Sequence, residues 1–208
     1  MAQKTNGLHA ILSAPMMYDL LQSALGAGKA RRRFSREYIR AREGDTVLDI
    51  GCGTGELLPH LPGGIEYHGF DLSPRYIEAA RKRHPRGGTF ECMDIADYHP
   101  ASGAPEADIV LAVGILHHLD DDLAAKLIRT AYDQLRPGGR FVSLDGTLIP
   151  GQSTIARNLV LRDRGQNIRT PEAYAGLARQ AFTEVTCDIR TDMLRVPYTH
   201  CILQCTRH

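Results

Sequence analysis

The sequence predicts an α/β fold built on a parallel sheet, and three observations predict it. From Gly44 onward, short β-rich apolar runs alternate with longer stretches of helical periodicity. The first of those runs leads directly into a glycine cluster, Gly51-Cys52-Gly53-Thr54-Gly55. A length of 208 residues with 43% hydrophobic and 24% charged residues suits one domain with a buried core and leaves no room for a second full domain. Strands that alternate with helices make βαβ units, whose parallel strands are covered on both faces.

Residues 8–25 place Ile11, Leu12, Leu20, Leu21 and Leu25 at helical spacing, with Gly26 and Gly28 closing the pattern, so one or two N-terminal helices are expected. Residues 29–42 set Arg31, Arg32, Arg33, Arg36, Arg40 and Arg42 around Phe34, Tyr38 and Ile39, the mark of a basic amphipathic helix with a solvated face. Strands are expected over 46–50, 66–71, 89–93, 108–113 and 140–145, with helical stretches over 56–61, 73–83 and 121–135 between them. Ser73-Pro74 forms an N-cap and first-turn pair, and Pro137-Gly138-Gly139 stops the long helix and turns the chain into the next strand. Residues 147–169 lack a strand pattern but allow a short helix over 155–161. Thr170-Pro171-Glu172 then opens a helix to about Ala181, and 185–190 and 198–206 read as the last strands.

Composition excludes several classes. Lys plus Arg numbers 25 and Asp plus Glu 24, and a net charge of +1 gives little long-range field to gather nucleic acid or anionic lipid. Five cysteines, Cys52, Cys92, Cys187, Cys201 and Cys205, are an odd number with no CxxC pair, which fits neither a zinc site nor a disulfide framework. They read as buried small hydrophobes in a reducing cytosol. No run approaches the ~18 to 20 apolar residues that cross a bilayer. His9, Pro15 and Asp19 interrupt the apolar stretch after Lys4, a poor secretory signal, so a cytoplasmic protein is expected.

Glycines let the backbone take positive-φ turns and let a flat or extended ligand lie against the main chain. The spacing here is G-x-G-x-G, whereas the dinucleotide fingerprint is G-x-G-x-x-G. Val47-Leu48-Asp49-Ile50 precedes the loop. An acid ends the second strand 22 residues beyond Asp49, in Gly69-Phe70-Asp71-Leu72-Ser73. There a carboxylate can accept from both ribose hydroxyls, or else cap the helix after Ser73. Another acid ends the third strand in Cys92-Met93-Asp94-Ile95. The fourth strand runs into Val113-Gly114-Ile115-Leu116-His117-His118-Leu119, and Leu135-Arg136-Pro137-Gly138-Gly139 precedes the fifth.

In this order, over about 44–145, the chain resembles the class I S-adenosylmethionine-dependent methyltransferases. The resemblance implies a Rossmann-like, seven-stranded, mostly parallel sheet with helices on both faces and an antiparallel last strand. It implies an N-terminal helical lid and substrate segment over 1–43, a cofactor-binding core over 44–146, and a substrate insertion with the final helix and strands over 147–208. The implied cofactor is S-adenosyl-L-methionine. Asp49 and the loop of Gly51, Cys52, Gly53 and Gly55 would hold its methionine end, with Cys52 a small loop residue without redox role. Asp71 and Leu72 would meet the ribose side, Asp94 and Ile95 the adenine, and Val113 and Gly114 the end of strand four. Tyr18 would close over the cofactor, its other reading being an ordinary amphipathic-helix residue.

A sulfonium is already an activated methyl donor, so the reaction needs alignment, exclusion of water and, for a hydroxyl acceptor, removal of a proton. Two adjacent residues cannot both face the site, and His117 is taken as the inward one and as the base; the alternative is that His117 and His118 cap or pack the next helix. The Asn/Asp-Pro-Pro-aromatic motif of amino-directed DNA methyltransferases, a Pro-Cys nucleophile and the acidic pair of arginine methyltransferases are all missing. Asp145 could supply one Mg²⁺ ligand, but Val113 and Gly114 offer no partner, so no metal is expected. The expected acceptor is a small metabolite or glycan precursor, methylated on oxygen ahead of nitrogen. Arg157, Arg162, Arg164 and Arg169 could receive an anionic group on it, although solvated surface arginines are the commoner outcome. No nucleic-acid partner and no membrane insertion are expected, and the assembly is a monomer or homodimer. Two rivals stay open: an NAD(P)-dependent oxidoreductase, which would need the longer glycine spacing and a Tyr-x-x-x-Lys pair, and a non-catalytic cofactor-binding subunit.

Overall fold

A computed structural model describes residues 26–98, 107–162 and 166–208. Its helices are α1 (Ala27–Phe34), α2 (Pro74–Arg83), α3 (Asp121–Gln134), α4 (Thr154–Leu161) and α5 (Pro171–Ala178). Its strands are β1 (Thr46–Ile50), β2 (Glu66–Phe70), β3 (Thr89–Glu91), β4 (Ala107–Val113), β5 (Leu135–Gly146), β6 (Glu184–Arg190) and β7 (His200–Thr206). One seven-stranded sheet has the order β3-β2-β1-β4-β5-β7-β6. β1 to β5 are parallel, and β7 lies antiparallel between β5 and β6. β1 is flanked by β2 and β4, so the direction of winding reverses there and a crevice opens at the carboxyl ends of those strands.

Alternate residues of the central strands feed two cores. Leu48, Ile50, Val110, Ala112 and Phe141 face α3 and α5, whose Ala124, Ile128, Tyr174 and Ala178 share the same cluster. Val47, Tyr67, Ile109, Leu111 and Val142 face α1 and α2 through Ala30, Phe34, Ile77 and Ala80. The edges differ from this interior: β3 has three residues, and β6 exposes Glu184, Thr186 and Asp188.

Several local expectations are corrected. The basic helix expected over 29–42 is α1 followed by one wide π turn, Ser35–Ile39, closed by Arg40 at φ 51°. Arg140 stabilises that ending by donating to the carbonyls of Tyr38 (3.2 Å) and Ile39 (2.7 Å). Gly26 caps the start of α1 and Gly28 lies inside it, while the helical stretch expected over 8–25 lies outside the described residues. The helix expected over 56–61 is only a 3-10 turn, Leu58–His60, because Pro59 lacks an amide hydrogen and Pro62-Gly63-Gly64 follows. α3 stops at Gln134, and Leu135 already pairs with Ala107, ahead of a bulge at Pro137-Gly138-Gly139. The Ser73 side chain makes no cap bond; its amide donates instead to Asp71 Oδ1 at 2.8 Å.

All five cysteines are free. Cys52, Cys201 and Cys205 are buried and Cys187 is partly so, but Cys92 is exposed, outside the expectation of buried thiols. No helix among the described residues is long and apolar enough to cross a membrane.

The Cys52 and Phe90 side chains can pack over β2 only because Gly69 has no side chain. A Cβ there would stand 2.8 Å from Cys52 Sγ and 2.9 Å from Phe90 Cδ1. Gly69→Ala is therefore expected to destabilise the fold by about 1–3 kcal/mol, the usual cost of overpacking, as read by urea denaturation.

Candidate functional site

The loop after β1 begins with both Gly51 and Cys52 donating to the Phe70 carbonyl, at 2.8 and 3.0 Å. That pair of hydrogen bonds holds the chain against β2 and forces it to turn. Gly51, Gly53 and Gly55 all take positive φ, at 72°, 56° and 73°. Their surroundings differ. A Cβ on Gly51 would meet Ile115 and one on Gly55 would meet His84 and Phe90, whereas one on Gly53 would enter open space. Gly53 thus leaves an open cradle beside Asp71, to whose Oδ2 its amide donates at 3.0 Å.

Asp71 is held from both sides, by Gly53 on one oxygen and Ser73 on the other. Partial burial raises its carboxyl above the ordinary range, against the pull of those two amides. Asp49 lies deeper, 3% exposed, and accepts from the Tyr67 hydroxyl at 2.6 Å. Burial pushes Asp49 up to about 7; the Tyr67 bond works the other way and the Asp71 charge adds to the rise. Burial likewise pushes the Cys52 thiol up, so it stays a neutral packing group. Leu72, just beyond Asp71, is 73% exposed, a large apolar side chain facing water at the carboxyl end of β2.

Asp94 is exposed and caps its own 3-10 turn, Ile95–Asp97, accepting from the Ala96 amide at 3.0 Å, while Ile95 is buried in the core. Val113 is half-buried at the end of β4. Gly114 takes φ 70° and donates to the Leu144 carbonyl at 2.8 Å, and a Cβ on it would lie 3.9 Å from His117 Cε1. The next turn, Leu116–His118, buries His117 to 5% exposure and leaves His118 exposed, with the two rings 4.2 Å apart. Asp145, at the end of β5 and 1% exposed, takes both the His117 amide (3.2 Å) and His117 Nδ1 (2.8 Å) on Oδ1. Its Oδ2 is buried without a hydrogen-bond partner among the described residues. An ionised carboxylate only accepts, so this contact places the neutral ring's proton on Nδ1 and leaves Nε2 as its acceptor nitrogen.

Asp49, Cys52, Gly53 and Asp71 therefore form one cluster. Ile115, packed on Gly51, joins it to the Gly114, His117 and Asp145 group. Asp94 bonds within its own turn. Tyr18 and Arg164 lie outside the described residues. Arg157 and Arg162 are exposed, but Arg169 is 8% exposed and bonded to protein groups on every side, so it is neither an acceptor-binding nor a solvated arginine. Tyr67, Gly69 and the pairing of Asp145 with His117 were missed from sequence. Period-two alternation does place Tyr67 and Gly69 on the face of β2 that matches Asp49, and it could have signalled the first two.

A family model described as a methyltransferase domain matches residues 48–141. Phosphoethanolamine N-methyltransferase 1 of Arabidopsis thaliana is 28% identical over 162 residues, 75% of this chain and 32% of that protein. The 27-O-demethylrifamycin SV methyltransferase of Amycolatopsis mediterranei is 33% identical over 115 residues, 52% of this chain and 41% of that protein. This chain thus spans less than half the length of either relative. Among solved structures, the pyocyanin biosynthetic protein PhzM superposes with a TM-score of 0.76 over 98% of this chain and 62% of its own, at 18% identity, a likeness of fold.

The Asp49 environment predicts a pH signature. An acid that holds its proton more tightly when folded stabilises fully below about pH 4, and that stability is lost as pH rises through about 7. Asp49→Asn is expected to abolish this downward slope in urea denaturation between roughly pH 4 and 8. An unchanged slope in the variant would assign it to other groups.

Proposed function

Since the chain belongs to the class I S-adenosylmethionine-dependent methyltransferase family, we propose that it transfers a methyl group from S-adenosyl-L-methionine to a hydroxyl oxygen of a small molecule. The observation that carries the oxygen reading is the buried His117–Asp145 pair at the ends of β4 and β5. A hydroxyl must lose its proton during transfer, whereas a neutral amine can attack with its lone pair. Nitrogen is the second reading, favoured by several relatives named as phosphoethanolamine N-methyltransferases.

Two observations support the fit of the cofactor. Gly53 leaves an open cradle beside Asp71, and Leu72 offers an exposed apolar surface on which a flat ring would be covered. When bound, S-adenosylmethionine supplies a methyl group activated by its sulfonium. Asp71 accepts from the ribose hydroxyls, keeping its two amide bonds, since each carboxylate oxygen has a second lone pair. Asp49 and the Gly51 to Gly55 loop hold the methionine end, with Asp49 favouring its ammonium once ionised. Asp94 and the Ile95 amide receive the adenine edge, and Val113 and Gly114 border the reacting end. His117 Nε2 takes the acceptor's proton, while Asp145 holds the ring and stabilises the imidazolium that forms.

Thermal shift and calorimetry with S-adenosylhomocysteine and NAD side by side test the cofactor. S-adenosylhomocysteine is expected to stabilise the protein, and Gly53→Val, which fills the cradle, to weaken its binding at least about tenfold; stabilisation by NAD alone would overturn the reading. With isotopically labelled methyl donor and panels of hydroxyl and amine acceptors, label is expected in the hydroxyl panel. His117→Ala should then lower kcat by about 10²–10⁴ while changing S-adenosylhomocysteine affinity less than about threefold. An unaffected kcat would remove the base and favour nitrogen.

A further inference from the structure

The insertion after β5 is closed at its base. Thr147 Oγ1 donates to the Arg169 carbonyl at 2.8 Å, and the two residues pair as an isolated bridge immediately after Asp145-Gly146. The Arg169 backbone is therefore fixed to the strand end that carries Asp145. Its side chain reaches the other way. One terminal nitrogen donates to the Leu116 carbonyl (2.8 Å) and the Asn167 carbonyl (3.0 Å), and the other to the Leu119 carbonyl (2.7 Å). Nε donates to Asp121 Oδ1 at 2.8 Å, at the start of α3. Leu116 and Leu119 bracket His117 and His118, and the Asn167 amide donates to the His117 carbonyl itself at 3.0 Å.

We infer that Arg169 is a positioning residue that sets the His117–Asp145 geometry, its backbone fixed to the Asp145 strand and its guanidinium gripping the turn that presents His117. The chemistry requires an arginine. A planar fork reaches carbonyls on both sides of the turn at once, whereas a lysine ammonium is a point donor on a flexible stem. The buried charge is compensated by three carbonyl dipoles and the Asp121 carboxylate, so the clamp is satisfied as built. Tyr174 closes it from α5, with the Arg169 guanidinium 5.7 Å from its ring centre and its hydroxyl donating to the Gly146 carbonyl at 3.0 Å. The role of His117 in this inference rests on the proposed function; the geometry of the clamp does not.

The test reads the ring directly. Nitrogen-15 NMR of histidine-labelled protein above the histidine titration range, with His117 assigned by the signals lost in His117→Asn, reports which ring nitrogen carries the proton. The wild type is expected to show the Nδ1–H form. Arg169→Met is expected to let the Nε2–H form appear to at least about a quarter of the population, and Arg169→Lys to give an intermediate amount. S-adenosylhomocysteine affinity, measured on the same samples, is expected to change less than about threefold. A merely structural arginine would lower the melting temperature and leave the tautomer alone, so the wild-type tautomer in either folded variant overturns the inference. If Arg169→Met does not fold, Arg169→Lys decides it. Failure of wild-type protein to bind S-adenosylhomocysteine would instead count against the proposed function and leave the tautomer result to judge the clamp.

Discussion

Two amides share one acceptor at the end of β1, where Gly51 and Cys52 both donate to the Phe70 carbonyl. Much of the site follows from that shared contact. The ladder between β1 and β2 continues past the last paired residues, so the chain can leave the sheet only by turning sharply into the left-handed region, where glycine is at ease and other residues are strained. Once it has turned, the Gly53 amide meets Asp71 and Gly51 presents a bare backbone to Ile115. Ile115 belongs to the segment that leads from β4 to His117. Loosening the first turn would thus disturb the carboxylate at the end of β2 and the packing of the histidine turn together.

The electrostatics of the cluster have one sign. Asp71 is close enough to raise the Asp49 carboxyl, and the hydrogen bonds of the two acids come from a phenol and two backbone amides, none of them a cation. Such a pocket holds negative charge at a cost, and a cationic ligand relieves it. The proposed nucleoside carries a sulfonium and an ammonium, so affinity and the ionisation of Asp49 are linked. Tyr67 keeps the buried acid hydrogen-bonded whichever way that equilibrium lies.

What the chain reveals on reading, and what it conceals, divide by distance along the sequence. The strands, the glycine loop and the acids that end β2 and β3 are local patterns: hydrophobic period, glycine spacing and a carboxylate at a strand end. They placed the strands and the loop between them, while the seven-stranded, mostly parallel sheet was expected only through the family resemblance. The π turn after α1 was hidden because its ending depends on Arg140, some hundred positions away. Asp145 was weighed only as a metal ligand and set aside for want of a second acid, because its partner His117 lies on a neighbouring strand's loop, 28 residues off. Arg169 looked like a surface charge because nothing in its flanking residues reveals that four acceptors converge on it. The helix expected after the glycine loop failed for a local reason, Pro59, that the apolar spacing outweighed.

The two outer strands close the sheet in different ways. β3 is too short to offer more than a few unpaired backbone groups, and β6 sets Glu184, Thr186 and Asp188 along its open side. An incoming strand from another molecule would have to bury those carboxylates against its own side chains, a desolvation that backbone pairing does not repay. The molecule can therefore keep a long, strongly apolar parallel interior in crowded solution without that interior becoming a seed for fibrous stacking.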